Sequence, residues 1–239
     1  ACASESRIRD SWLCHQPYEL CVTTRDSLTK LDNPVLEVKR YMAFKTLALA
    51  LMGRNVKAMY FNDLMGLQND YELANKTGEL RNIKRTKSDR IKLEQLISDP
   101  SNVEYWIAKQ MNNTIALVDS DPAFNPRGIE ARLVVDSAQP SVAMLHNHYD
   151  NHNTLVIINT SGKNVQVQIR LSAFGLDRQK NLINNFTAAT IPNPAGEDAI
   201  TMEIKPFDRF WIKNEKVEIS QELWVEVGPE EEMTTALTI

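Results

Sequence analysis

Glycine is scarce in this chain, 8 of 239 residues, which argues against an architecture built on many tight turns. Cysteine is scarcer: Cys2, Cys14 and Cys21 all fall near the start. An odd count confined to one end is no disulfide framework, so a reduced, cytoplasmic setting is expected. No recognisable motif pairs Cys14 or Cys21 with a histidine, so neither reads as a nucleophile. Long apolar runs are missing too. The longest, TLALALMG at 46–53, falls far short of the roughly 20 residues that a membrane helix needs. No stretch is strongly basic and the net charge is −4, which excludes nucleic acid as the main partner. Residues 1–16 hold no apolar core and the first residue is not methionine, so no signal peptide is read and the chain is expected to begin within something longer.

What is present looks globular. Apolar residues make up 43% and charged residues 24%, enough for a real core. YELCVTT (18–24) reads as a short buried strand. Asn33 followed by Pro34 reads as a helix start with Gly53 as its stop, and Val38, Tyr41, Met42, Leu49 and Met52 recur at helical spacing. Phe44, Ala48 and Leu51 occupy a second side, which predicts a helix buried on more than one face. VKAMYF (56–61) is a second strand candidate. A long polar segment follows, GLQNDYELANKTGELRNIKRTKSD at 66–89. Ser88 is the expected cap of a helix carrying Leu93, Leu96 and Ile97, which Asp99-Pro100 breaks. Ser101 with Glu104 reads as a capping box for a helix with Trp106, Ile107, Met111 and Ile115 on its core side.

From about Arg132 the period changes to two. RLVVD, SVAMLHNH, TLVIINT, NVQVQIRL, AITMEIKP and FDRFWIK are strand-like and separated by turn-forming clusters. The second half is expected to be a small antiparallel β-sandwich, and 229–239 a tail. Strand, helix, strand, loop and helix in the first half is the rhythm of a parallel sheet. Two parallel strands alone leave faces and edges uncovered, so this half reads as the end of a larger fold.

Three local stretches, PYELCVTTRDSL, VKAMYFNDLMGLQNDYE and TGELRNIKRTKSD, stand in the order and spacing of the sucrose-phosphorylase branch of the α-amylase superfamily. IALVDSDPAFNPRG and the alternating strands resemble the helix exit and C-terminal β-domain of that branch. The resemblance runs from about Tyr18 to Glu222. It implies α/β plus all-β: terminal strands and helices of a (β/α)8 barrel over 1–120, then a C-terminal antiparallel β-sandwich over 121–228. On that alignment YELCVTT is close to strand 7, VKAMYF is strand 8, and the polar segment is the loop after strand 8, on the face where such barrels build their sites.

The resemblance also implies an activity: glucosyl transfer from an α-glucoside (glucosylglycerol, glucosylglycerate or sucrose) to phosphate, through a covalent intermediate on a carboxylate. Retaining transfer needs two carboxyls roughly 5 Å apart. The family's nucleophile, general acid and stabilising Asp lie upstream of the part matched here, so no catalytic residue is assigned. Arg81 in GELRNIKR matches the family arginine at the base of the glucose pocket, where a guanidinium fork can donate to vicinal hydroxyls. Tyr18 and Glu19 stand where the family places a loop over the acceptor subsite. Glu19 resembles the glycerol- and glycerate-handling members, whereas sucrose enzymes carry an amide there. Inorganic phosphate is a co-substrate rather than a cofactor. The implied partners are a small sugar, phosphate and the remainder of the barrel, in the same or another chain.

Other polar residues read differently. Asn69 and Asp70 suit loop-shaping hydrogen bonds, and Lys84 and Arg85 a solvated basic face. His146 and His148 share a strand face near Asp150 and His152, but the stretch reads as a hairpin connection and no metal is assigned. Trp106, Trp211 and Trp224 are expected in the core. Asn112, Asn159 and Asn185 open glycosylation triplets of the kind that arise by chance. One alternative stays open: a non-catalytic carbohydrate- or protein-binding β-domain beside a vestigial barrel remnant.

Overall fold

The computed structural model describes residues 21–28, 31–52, 59–87, 89–128, 132–135, 139–193, 197–219 and 230–238. They form helices and antiparallel sheet, divided into two compact units: 1–41, 59–109 and 227–239 in the first, and 42–58 with 110–226 in the second. Among the described residues no helix is long and apolar enough to cross a membrane.

The first unit is helical. A short helix α1 (Thr24–Ser27) is capped by Thr23, whose hydroxyl accepts from the Asp26 amide. The long helix α2 (Pro34–Met52) begins as read, with the Asn33 side chain accepting from the Leu36 amide at 3.1 Å. Short helices α3 (Phe61–Leu64) and α4 (Tyr71–Thr77) follow, then α5 (Arg90–Ser98) and α6 (Val103–Ser120); residues 42–52 of α2 and 110–120 of α6 belong to the second unit. A terminal helix α7 spans Glu230–Thr238. Val35, Val38, Tyr41, Leu67, Trp106, Ile107 and Met233 are buried. Tyr41 donates its hydroxyl to the Asp63 carbonyl at 2.5 Å, and burial, then Asp63, pushes its pKa up, so the phenol keeps its proton.

Several expectations are corrected here. Of YELCVTT, residues 21–23 form no strand and Thr24 opens α1; a threonine whose hydroxyl caps a turn favours helix initiation over strand. Of VKAMYF, residues 59–60 are not assigned to a strand and Phe61 opens α3. Tyr18 to Leu20 and 53–58 lie outside the described residues, and every pairing among the described strands is antiparallel. Asp89 caps α5, its carboxylate accepting from Lys92 at 2.8 Å, where a charged oxygen also meets the helix dipole; Ser88 lies outside the described residues. The capping box at Ser101 does not form. The Ser101 amide goes to Asp99 at 2.9 Å, and Glu104 is drawn to a buried arginine described below. The expected tail is helical over Glu230–Thr238, with Met233 buried and Lys39 on Glu230 at 3.1 Å. Acidic residues in its first turn favour the positive end of the helix dipole.

In the second unit the period-two stretches are strands. They are β1 (Arg132–Val135), β2 (Val142–Tyr149), β3 (His152–Asn159), β4 (Val165–Arg170), β5 (Leu182–Asn184), β6 (Ala189–Ile191), β7 (Ala199–Ile204) and β8 (Arg209–Lys213). A six-stranded sheet runs β1-β2-β3-β8-β5-β6, and β4 pairs β7 separately. Both sheets feed one core: Val142, Met144, Leu155 and Ile157 from the first, Val167, Ile169, Ile200 and Ile204 from the second. The short hairpin β5–β6 had no sequence signal, because three-residue strands are too short to show alternation.

Beneath the large sheet sits a charged cluster. Asp121 (2% exposed) accepts from Lys213 Nζ at 2.6 Å and the Ala123 amide at 3.0 Å on one oxygen, and from Trp211 Nε1 at 2.8 Å and Thr154 Oγ1 at 2.6 Å on the other. Arg209 donates to Thr46 at 2.7 Å, Thr114 at 3.1 Å and Gln110 at 2.8 Å, and faces the Phe186 ring at 4.5 Å. Burial lowers its pKa to about 9, with Asp208 opposing, so the charge persists at neutral pH. The side chains of Asn159 and Asn185 are buried and donate to backbone carbonyls, including Lys163 at 2.7 Å and Glu215 at 3.3 Å. Those two triplets are therefore structural in the folded chain.

Helix α2 departs from its sequence pattern. Val38, Tyr41, Met42 and Leu49 are buried as expected, but Phe44 and Leu51 are each 45% exposed and Met52 37%. Ala48 is half-buried and Ala43, Lys45, Thr46 and Ala50 are buried, so the helix is covered on more than one side as expected, but Phe44 and Leu51 are not.

Candidate functional site

The polar segment after Gly66 is an ordered arm. Asp70 starts α4 by accepting the Leu73 amide at 2.7 Å, and Gly78 ends it in the left-handed region at φ 70°. A 3₁₀ turn, Leu80–Lys84, follows and carries Arg81, half-buried. The arm folds back on itself: the Asp70 amide donates to the Ile83 carbonyl at 2.7 Å and Thr86 Oγ1 to the Gln68 carbonyl at 2.8 Å. Asn62 donates to the Lys84 carbonyl at 3.0 Å, and Asn82 to Thr77 Oγ1 at 2.8 Å. Buried Ile83 anchors the turn.

Its base is fixed by Arg25. From α1, Nε donates to Glu37 of α2 at 2.7 Å, and Nη1 to Glu104 of α6 at 2.5 Å and to the Gly66 carbonyl at 2.9 Å. Burial opposes the charge, but Glu104 and Glu37 outweigh it and the guanidinium is held cationic. Gly66 itself has φ 62°, and a Cβ there would sit 2.6 Å from the Ile107 side chain. Only glycine fits both demands.

A second junction lies beside the first. The Thr23 amide donates to Asn69 Oδ1 at 2.7 Å and the Asn69 amide to Asp26 Oδ2 at 2.5 Å. Asn69 Nδ2 donates to the Tyr71 hydroxyl at 3.0 Å. TTRDSL, NDLMGLQNDYE and GELRNIKR are thus tied together by hydrogen bonds.

Of the residues singled out in sequence, Arg81 lies on this arm, with Lys84 and Arg85 on the same turn and its C-cap. Tyr18 and Glu19 lie outside the described residues. Asn69 and Asp70 shape the loop as expected. Thr23, Arg25 and Asp26 were quoted as part of a motif but given no role. The Thr-Thr-Arg-Asp-Ser run signals a helix cap, yet Arg25 meets its carboxylates only 12 and 79 residues away, where no local pattern reaches.

The histidines are engaged otherwise. His146 Nε2 lies 2.9 Å from Asn153 Oδ1, and His152 pairs with Glu215 at 3.0 Å. Burial lowers the His146 pKa below its usual 6.5, with His148 and Arg132 acting in the same direction and Asn153 against it. The unfolded chain therefore binds the extra proton, and stability present above pH 6.5 is lost as the pH falls through the folded value. Urea midpoints between pH 7.5 and 5.5 should fall for the wild type, and by less for His146→Gln; equal falls would remove His146 as the cause.

No family model matches the chain. A glucosylglycerate phosphorylase of Spirochaeta thermophila is 23% identical over 201 residues, covering 82% of this chain and 33% of its own length. One of Escherichia coli is 25% identical over 151 residues, covering 63% of this chain and 26% of its own. Among solved structures, AmyP in complex with maltose aligns with a TM-score of 0.49 at 15% identity, over 75% of this chain and 36% of that one. Isomaltulose synthase from Klebsiella sp. LX3 aligns with 0.46 at 15%, over 73% and 38%. The chain spans about a third or less of the length of these curated relatives; it is similar in sequence to the C-terminal portion of each.

Proposed function

We propose that this chain supplies the C-terminal portion of a retaining glucoside phosphorylase. In that reading the described helices of the first unit are the last part of a (β/α)8 barrel, and the two antiparallel sheets are its C-terminal β-sandwich. The nucleophile and the acid/base come from preceding segments, and the enzyme is cytoplasmic. Glucose passes from an α-glucoside to inorganic phosphate, giving glucose 1-phosphate, and Arg81 orients the hexose.

The observation that carries this reading is the joining of the three family-like stretches into one arm whose basic turn bears Arg81. Exposure of Phe44 and Leu51 on an otherwise buried helix supports a missing cover. Arginine suits the role because its fork holds vicinal hydroxyls and a carboxylate at once. Glu19, in turn, favours glycerate or glycerol over fructose as acceptor, since a carboxylate accepts two hydroxyl hydrogen bonds from a small polyol.

Expression of the longest reading frame containing this chain tests the proposal. It should release glucose 1-phosphate from glucosylglycerate or glucosylglycerol in a phosphate-dependent manner, while residues 1–239 alone release none. Arg81→Ala should lower kcat/KM by about 30- to 1,000-fold, the loss of charge-assisted hydrogen bonds. Absence of phosphorolysis on every α-glucoside tried, or an unchanged Arg81→Ala enzyme, would overturn it.

A further inference from the structure

We propose that Asn69 is a positioning residue, registering the Thr23–Asp26 turn against the arm that carries Arg81; the inference rests on the functional reading above. Asn69 uses all its polar groups but its carbonyl on this junction. Its side-chain oxygen takes the Thr23 amide, its backbone amide goes to Asp26, and its side-chain nitrogen goes to Tyr71. The amide oxygen accepts while its nitrogen donates, so this one side chain ties Thr23 and Tyr71 together. The next residue, Asp70, spends its backbone amide on Ile83, two positions past Arg81. A shift of Asn69 is therefore carried through one hydrogen bond to the turn bearing the guanidinium.

The surroundings separate this role from plain stability. Arg25 clamps Gly66 to α2 and α6 independently, so the base of the arm holds when Asn69 is changed. What Asn69 adds is register. Tyr71 is 38% exposed and its hydroxyl takes the Asn69 side-chain amide, so the junction reaches the first turn of α4.

The test has two arms. In the 239-residue chain, Asn69→Ala should speed hydrogen exchange about 5- to 30-fold in peptides covering both 21–28 and 66–87, as expected for local opening after loss of paired hydrogen bonds. A peptide covering β7 and β8 should be unchanged. Asp26→Ala, which removes one bond from the opposite side, should loosen the same two segments. Acceleration confined to one segment, or none, overturns the proposal, as does a spread through the whole chain. In the longest reading frame, Asn69→Ala should raise KM for the glucoside at least fivefold with kcat changed less than threefold. Asn69→Asp, which keeps the acceptor for Thr23, should restore most of it. Equal falls in kcat for both variants would reduce Asn69 to a structural residue. Should the wild-type frame show no phosphorolysis, the functional reading falls, while the exchange experiment still decides the registration.

Discussion

Asp121→Ala is expected to cost about 3–5 kcal/mol of stability, the range for stripping one partner from a buried ion pair. Asp121 and Lys213 are 2% and 1% exposed, so the surviving ammonium cannot turn to water and keeps the more exposed Glu215, 3.6 Å away, as its remaining described carboxylate. The same substitution orphans the Trp211 indole N–H, the Thr154 hydroxyl and the Ala123 amide, each buried donor adding its own desolvation cost. Lys213→Met should cost less, because Asp121 keeps those three donors. The asymmetry is the sharper part of the prediction. Urea unfolding at pH 7 checks it, and equal losses, or a loss for Asp121→Ala below about 1 kcal/mol, would mean that water reaches the cluster.

Arg25→Met should destabilise the first unit by a similar amount, about 3–5 kcal/mol. Methionine fills much of the arginine's volume, so the loss isolates charge from packing. It leaves Glu37, 6% exposed, and Glu104 without their shared cation, and leaves the Gly66 carbonyl without its donor. Thermal unfolding followed by hydrogen exchange would localise the effect. Peptides spanning 61–87 should lose protection first, since the arm hangs from Gly66. A stability change under 1 kcal/mol would show that the guanidinium bridge is dispensable. Arg25→Lys should rescue little, because an ammonium cannot reach two carboxylates and a carbonyl with the arginine's planar fork.

The six longer strands were legible in the chain because inward and outward residues alternate locally: Val167 and Ile169 point into the core while Gln166 and Gln168 face out. Helix α2 was legible from Asn33-Pro34 and its spacing. Misreadings came where a local signal had a competitor. Ser101 with Glu104 is a sound capping box in isolation, but a buried arginine 79 residues away is a stronger attractor for a carboxylate than one backbone amide. Phe44 and Leu51 belong to an apolar face that the sequence pattern assigns to an interior, and the described chain leaves those two side chains exposed. Of the arm, the basic turn holding Arg81 was anticipated from its motif, whereas the roles of Arg25 and Asp26 were silent.

The sequence by itself determined the change of period near Arg132, the start of α2 and the helix-starting use of Asp70, since each depends on neighbours within a turn or two along the chain. Only the tertiary structure decided that Arg25 bridges Glu37 and Glu104, that Asp121 meets Lys213 92 residues on, and that the polar arm is a folded element rather than a free loop. Those choices turn on which charges lose their water together, and that becomes fixed only once distant segments pack.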